Sequence, residues 1–124
     1  MSNTIIGLSI DAADAAALAG FWAEALGRQV AAGADAGHAV VTIDPAAVSV
    51  PRLVFHQVPE GKTVKNRLHL DLVVEDLDAS TAEIEGLGGR WLEPGDTHEL
   101  EGFRWRCMAD PHGNEFDIDT LPRA

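Results

Sequence analysis

His69 and Asp71 stand two residues apart in the run Asn66-Arg67-Leu68-His69-Leu70-Asp71-Leu72-Val73-Val74-Glu75-Asp76. Leu68, Leu70, Leu72 and Val74 alternate with His69, Asp71 and Val73, which is the two-residue period of a strand. One face of that strand is apolar and calls for a core. The other presents an imidazole beside a carboxylate. An imidazole changes charge near neutral pH, and a neighbouring carboxylate favours its charged form. The pair suits proton transfer with His69 as acid or base, ligation of a metal, or a satisfied polar pair with no further role. Acids gather again at residues 115–119, where Glu115, Asp117 and Asp119 share one face by alternation. Just before them, Arg104, Arg106 and Met108 alternate with Phe103, Trp105 and Cys107. Antiparallel pairing of these two stretches puts Arg104 or Arg106 opposite Asp117 or Asp119. Cross-strand charge pairs of this kind are worth about 0.2–1 kcal/mol each. The functional alternative is an arginine that holds an anionic or carbonyl-bearing ligand. Asp71, Arg104, Arg106 and Trp105, with Phe55 and Gln57 from an earlier strand, are the expected ligand contacts.

The elements that must position these side chains are legible along the chain. Residues 5–11 alternate as a first strand. Asp14 is placed to cap a helix through its carboxylate. Leu18, Phe21, Trp22, Ala25 and Leu26 then fall on a helical stripe, and Gly27 ends it. Residues 28–32, 38–43 and 52–58 read as three strands, with a loop at 44–51. A polar connector at 59–65 leads to the strand carrying His69. Asp76 or Asp78 caps a second helix, with Leu77, Thr81, Ile84 and Leu87 on its stripe and Gly88-Gly89 at its end. Strands follow at 90–93, 103–108 and 115–119, separated by a loop at 94–102 and a turn at Asp110-Pro111-His112-Gly113. The order is strand, helix, three strands, twice over. A shift of 62 residues, half of the 124, lays Gly7 on His69, Asp14 on Asp76 and Gly27 on Gly89. Such halves each lay a helix on one face of a sheet and leave the opposite faces to enclose a cleft.

Composition sets outer bounds. A chain of 124 residues with 46% hydrophobic content suits one folded domain. Nine basic against twenty acidic residues give a formal charge of −11. Nucleic acid and anionic membranes, which need clustered Lys and Arg, are therefore poor partners. The single cysteine, Cys107, excludes an internal disulfide. With no basic segment before an apolar run at the start, a cytoplasmic location is expected. Lys62, Lys65 and Arg67 read as a solvated connector, and His38, His98 and His112 as loop or turn residues. Trp22 and Trp91 read as core, and Cys107 as a small packed apolar residue.

Three stretches carry a family resemblance: Phe21-Trp22-Ala23-Glu24-Ala25-Leu26-Gly27, Lys65-Asn66-Arg67-Leu68-His69-Leu70-Asp71, and Asp110-Pro111-His112-Gly113-Asn114-Glu115-Phe116. By their content and spacing the chain resembles the vicinal oxygen chelate superfamily, most nearly its glyoxalase-like and bleomycin-resistance-like proteins, over residues 5–119. The resemblance implies an α+β fold of two βαβββ modules (5–58 and 66–119) forming a curved, mostly antiparallel sheet around a cleft. It also implies a homodimer, and a frequent divalent metal with ligands from the first and last strand of each module.

Carried onto this chain, those ligand positions are Gly7, Phe55, His69 and Asp117. Gly7 and Phe55 offer no donor atom, so the metal site reads as degenerate, and methylglyoxal isomerisation is disfavoured. His56 fills the gap only if a bulge slips its strand by one residue, because strand parity otherwise turns it toward the helix. A His56–His69–Asp117 set would suit Zn, Ni, Mn or Fe. Three functions follow: a metal-free small-molecule-binding protein, a metal-dependent lyase, isomerase or dioxygenase, and a metal-free enzyme using His69 as acid–base. The fold alone does not choose among them.

Overall fold

The computed structural model describes residues 3–42 and 51–123. Ile43, expected to close the third strand, and all but Pro51 of the expected loop at 44–51 lie outside the described residues. The chain divides into two compact units, Met1–Gly61 and Lys62–Ala124.

The first unit runs β1 (Gly7–Ala12), α1 (Ala15–Leu26), β2 (Gln29–Val30), β3 (His38–Thr42) and β4 (Arg52–Gln57). Asp14 starts the helix as expected: its Oδ1 accepts from the Ala17 N–H at 3.1 Å. Gly27 ends it in the left-handed conformation. The sheet order is β1-β4-β3-β2, with β1 parallel to β4 and the other pairs antiparallel. Helix α1 lies on this sheet. Leu18, Phe21 and Trp22 from the helix and Ala39, Val41, Leu53 and Phe55 from the sheet are buried. Phe21 and Trp22 meet edge to face, 5.4 Å between ring centres.

The second unit repeats the plan: β5 (Leu70–Val73), α2 (Leu77–Gly86), β6 (Arg90–Trp91), β7 (His98–Leu100), β8 (Phe103–Ala109) and β9 (Glu115–Thr120). Its sheet order, β5-β9-β8-β6, matches that of the first unit, with β5 parallel to β9. Strand β7 is the addition. It pairs antiparallel with β8 inside the stretch expected to be a loop, so His98 is a strand residue. Asp76 caps α2, its Oδ1 accepting from the N–H groups of Asp78 and Ala79 at 2.9 and 3.1 Å. Behind the helix, a Cβ at Gly89 would stand 2.5 Å from Ile84 Cγ2 and 2.9 Å from the Ala109 carbonyl oxygen. Only glycine allows the chain to leave α2 that close to β8.

Two expectations about the His69 strand need correcting. It is shorter than its alternation suggests, because only Leu70–Val73 have ladder partners on β9. Leu68 is therefore left outside the core, at 75% exposure. The segment ahead of β5 is held instead by a side chain. Glu115 accepts from the Asn66 N–H and from Lys62 Nζ, both at 2.9 Å. Burial works to raise the Glu115 pKa, but those two donors outweigh it and hold it below the ordinary range. Lys62 is thus an anchor and not a solvated connector residue.

Candidate functional site

Alternation on β5 and β9 sorts the second unit into two faces. Phe116 and Ile118 are buried on the α2 side, whereas Asp117 and Asp119 are half-buried on the side turned away from the helix. Asp71 pairs with Asp117 across the β5–β9 ladder and so joins that open face. His69, one residue before β5 begins, reaches the same place: its Nδ1 lies 2.8 Å from Asp71 Oδ1. The donor atoms of His69, Asp71 and Asp117 all lie within 4.8 Å of one another.

This group is rich in negative charge. Burial first, and then the Asp71 carboxylate, push Asp117 above the usual carboxylate range, although the His69 imidazole works against them. Asp119 is raised in the same way, by burial and then by Asp71 and Asp117. Its Oδ1 is buried and meets no hydrogen-bond partner. An imidazole nitrogen and two carboxylates form a donor set suited to a hard or borderline divalent cation.

Strand β8 supplies different neighbours from those expected. Its register sets Trp105 opposite Asp119 and Cys107 opposite Asp117. Arg106 instead stands opposite Ile118, and Arg104 opposite Thr120. Neither arginine faces Asp117 or Asp119, because a one-residue difference in register moves a side chain to the other face. Arg106 points into the α2 layer and is 8% exposed. Its Nη1 donates to Thr81 Oγ1 at 2.8 Å and to the Leu77 carbonyl at 3.3 Å. Its Nη2 donates to Asp78 Oδ1 at 2.7 Å and its Nε to Thr97 Oγ1 at 3.0 Å. The guanidinium also lies 4.2 Å from the Trp91 ring centre. With its donors engaged this way, it serves α2 and not a ligand on the open face. Arg104 lines, with Arg106, Arg123, Asp76 and Asp78, an open depression of about 680 Å³ that none of His69, Asp71 or Asp117 borders.

The first unit corrects the parity of β4. Phe55 is fully buried against α1 and is a core residue, not a ligand contact. Val54 is half-buried and His56 exposed, so both turn away from the helix with no bulge. The cause is an offset that changes along the repeat. Ser9 pairs with Val54 as Asp71 pairs with Asp117, so the halves differ by 62 residues at the first strand and 63 at the last. Val54, and not Phe55, holds the place of Asp117, and it too lacks a donor atom. His56 sits across from His38 on β3, with 5.4 Å between ring centres. Gln57 donates from Nε2 to the Ala13 carbonyl at 2.9 Å and stays exposed.

A second group of donors was not legible in the sequence. Glu93, His98 and Cys107 bring their donor atoms within 4.8 Å of one another. The sequence reads His98 as a loop residue and Cys107 as a small packed apolar one, so neither points to this group. The signal that finds them is the β7–β8 hairpin, which sets His98 opposite Trp105.

The turn that launches β9 is built by Asp110. Its Oδ1 accepts from the N–H groups of His112 and Asn114 at 2.9 and 3.0 Å, and its Oδ2 from Asn114 Nδ2 at 2.9 Å. Gly113 takes φ 88°, which a side chain would oppose. This turn fixes where β9 begins and so which of its residues reach the open face.

Residues 7–118 match the family model described as a glyoxalase-like domain. Three solved structures share the fold across nearly the whole chain. An oxidase, ChaP-H2, is 23% identical with a TM-score of 0.70, covering 100% of this chain and 98% of its own. A glyoxalase/bleomycin resistance protein/dioxygenase family enzyme from Burkholderia phytofirmans PsJN is 14% identical with a TM-score of 0.75, covering 96% and 99%. A lactoylglutathione lyase from Agrobacterium tumefaciens is 13% identical with a TM-score of 0.63, covering 97% and 95%. No curated protein matches.

Proposed function

Since the chain belongs to the glyoxalase-like domain family of the vicinal oxygen chelate superfamily, we propose that it binds a small molecule through a divalent cation held by His69, Asp71 and Asp117. The observation that carries this reading is the convergence of those three donor sets within 4.8 Å on one face of one unit. Asp71 is the donor that a count of expected ligand positions leaves out. The raised Asp117 and Asp119 carboxyls are a second support. They mark excess negative charge that a dication would relieve. A bound cation would supply Lewis acidity toward a carbonyl or hydroxyl oxygen.

The chain's own groups add orientation and proton handling. Asp71 engages Nδ1 of His69 at 2.8 Å and leaves Nε2 for a ligand or a proton. The half-buried Trp105 offers an aromatic wall on the same face. The related structures are named as an oxidase, a dioxygenase-family enzyme and a lyase. Those names differ in reaction and so assign none to this chain.

Calorimetric titration of chelator-stripped protein with Mn, Zn and Ni tests the reading. One cation per chain is expected at the His69 group itself, read in the Cys107→Ser background, at micromolar affinity or better and weakened at least about tenfold in both His69→Ala and Asp117→Asn. No binding, or binding unchanged in both variants, sinks it. The 2.8 Å His69–Asp71 contact also favours a second reading, a metal-free acid–base pair. That reading predicts ligand turnover that survives chelation and is lost in His69→Ala.

A further inference from the structure

Beside the His69 group lies a site with different chemistry. We propose that Glu93, His98 and Cys107 bind a second divalent cation of the borderline-soft, zinc-like class. The three residues come from separate points of the β6–β7–β8 region. The Leu92 N–H donates to the Cys107 carbonyl at 2.9 Å, which carries the β6–β8 ladder one step further and leaves Glu93 as the next residue, its carboxylate within 4.8 Å of the thiol. The chain then turns back at once, with the Asp96 N–H donating to the Glu93 carbonyl at 2.9 Å. Strand β7 returns His98 to within 3.1 Å of Glu93 Oε1 through its Nε2. Trp105, directly opposite on β8, stacks on the imidazole with 5.5 Å between centres and 23° between planes. The ring is therefore held before any ion arrives.

The donor set is one sulfur, one nitrogen and one oxygen, all within 4.8 Å. That combination selects zinc-like cations over magnesium or calcium, which prefer all-oxygen sets. Three protein ligands also leave one tetrahedral position for water or a ligand. An ordinary Glu–His pair explains two of the residues but not the thiol whose sulfur lies within 4.8 Å of both their donor atoms. Glu93 and Asp117, which flank the thiol, bring negative charge that favours a dication, and a coordinated thiol is deprotonated outright. None of the three ligands belongs to the His69 group, although Cys107 stands opposite Asp117 across the β8–β9 ladder, so the test must read the two sites apart.

Cobalt(II) titration of chelator-stripped full chain, read by absorbance, is the test. A thiolate-to-cobalt charge-transfer band is expected, saturating at one equivalent for this site and displaced by zinc. The band should vanish in Cys107→Ser and persist in His69→Ala. His98→Ala, a surface change that spares the core, should weaken cobalt binding at least about tenfold, since losing a direct ligand costs no less than losing an outer partner. Absence of the band in folded wild-type protein overturns the proposal. So does a band that persists in Cys107→Ser, or an affinity unchanged in His98→Ala. A band lost in His69→Ala would assign the thiolate to the His69 group and overturn it as well.

Discussion

Ser9 and Val54 in the first sheet occupy the register positions that Asp71 and Asp117 occupy in the second. The ladders around them correspond pair by pair: Leu8–Leu53 with Leu70–Phe116, Ile10–Phe55 with Leu72–Ile118, and Asp11–His56 with Val73–Asp119. On the helix side, Ala39 opposite Phe55 corresponds to Arg106 opposite Ile118. One backbone plan thus carries two different side-chain programmes. Among the described residues, the first unit fills its helix–sheet layer with apolar groups alone, and Ala39 gives Phe55 its room. The second puts a guanidinium into the same layer and loads its open face with donors. The lesson is that repetition of the fold conserves the apolar alternation that any helix-on-sheet layer requires, while the chemistry of the open face is free to diverge between halves.

The sharpest way to break this comparison is to attack the two equivalent core positions. Phe55→Ala removes a fully buried ring from an apolar layer, and a loss of about 3–5 kcal/mol is expected. Denaturant unfolding followed by tryptophan fluorescence measures it, with Trp22 in the same layer as the reporter. A loss under about 1 kcal/mol would mean the layer collapses around the gap and is not a close-packed core. Arg106→Ala tests the polar counterpart. It deletes four hydrogen-bonding contacts and the stack on Trp91. Thr81 Oγ1 keeps its bond to the Leu77 carbonyl at 2.6 Å, and the Asp78 carboxylate is mostly in water. Little is orphaned, so the expected loss is smaller, about 2–3 kcal/mol.

These residues also show what the sequence made legible. The helices could be read with their caps, since Asp14, Asp76 and Gly27 act locally and their chemistry is visible in one dimension. The duplication was visible too, because apolar alternation survives changes of residue type. Register was not. Phe55 was assigned to the open face by a constant shift of 62, whereas the last strand of the repeat is offset by 63. A single inserted residue inverts every side chain on a strand, and nothing local announces it. Arg106 failed for the same reason: its face depends on which residue of β9 it meets. His69, Asp71 and Asp117 do converge, because His69 and Asp71 share one short segment and Asp117 is fixed by the Asp110 turn just ahead of it. The Glu93–His98–Cys107 group needed the β7–β8 hairpin, whose short strand is overshadowed in sequence by Pro94 and Gly95.

Asp78→Ala asks what holds the arginine in the layer, and its effect should be the smallest. Asp78 makes the shortest of the Arg106 contacts, 2.7 Å, yet its side chain is 87% exposed. Water screens that charge pair, and surface pairs contribute about 0–1 kcal/mol. The carboxylate also sits in the first turn of α2, where the helix dipole adds about 0.3–1 kcal/mol. A total loss of about 1 kcal/mol is therefore expected, much of it erased in high salt. Arg106→Ala should keep most of its larger cost in the same salt, because Thr81 and the Leu77 carbonyl are buried acceptors that ions do not reach. Stability measured for both single variants and the double variant, at low and high salt, separates the two contributions. Equal costs with equal salt dependence would show that the ion pair holds Arg106. Arg106 would then be a surface charge pair that closes over the layer, and the contrast with Ala39 would reduce to one of side-chain length.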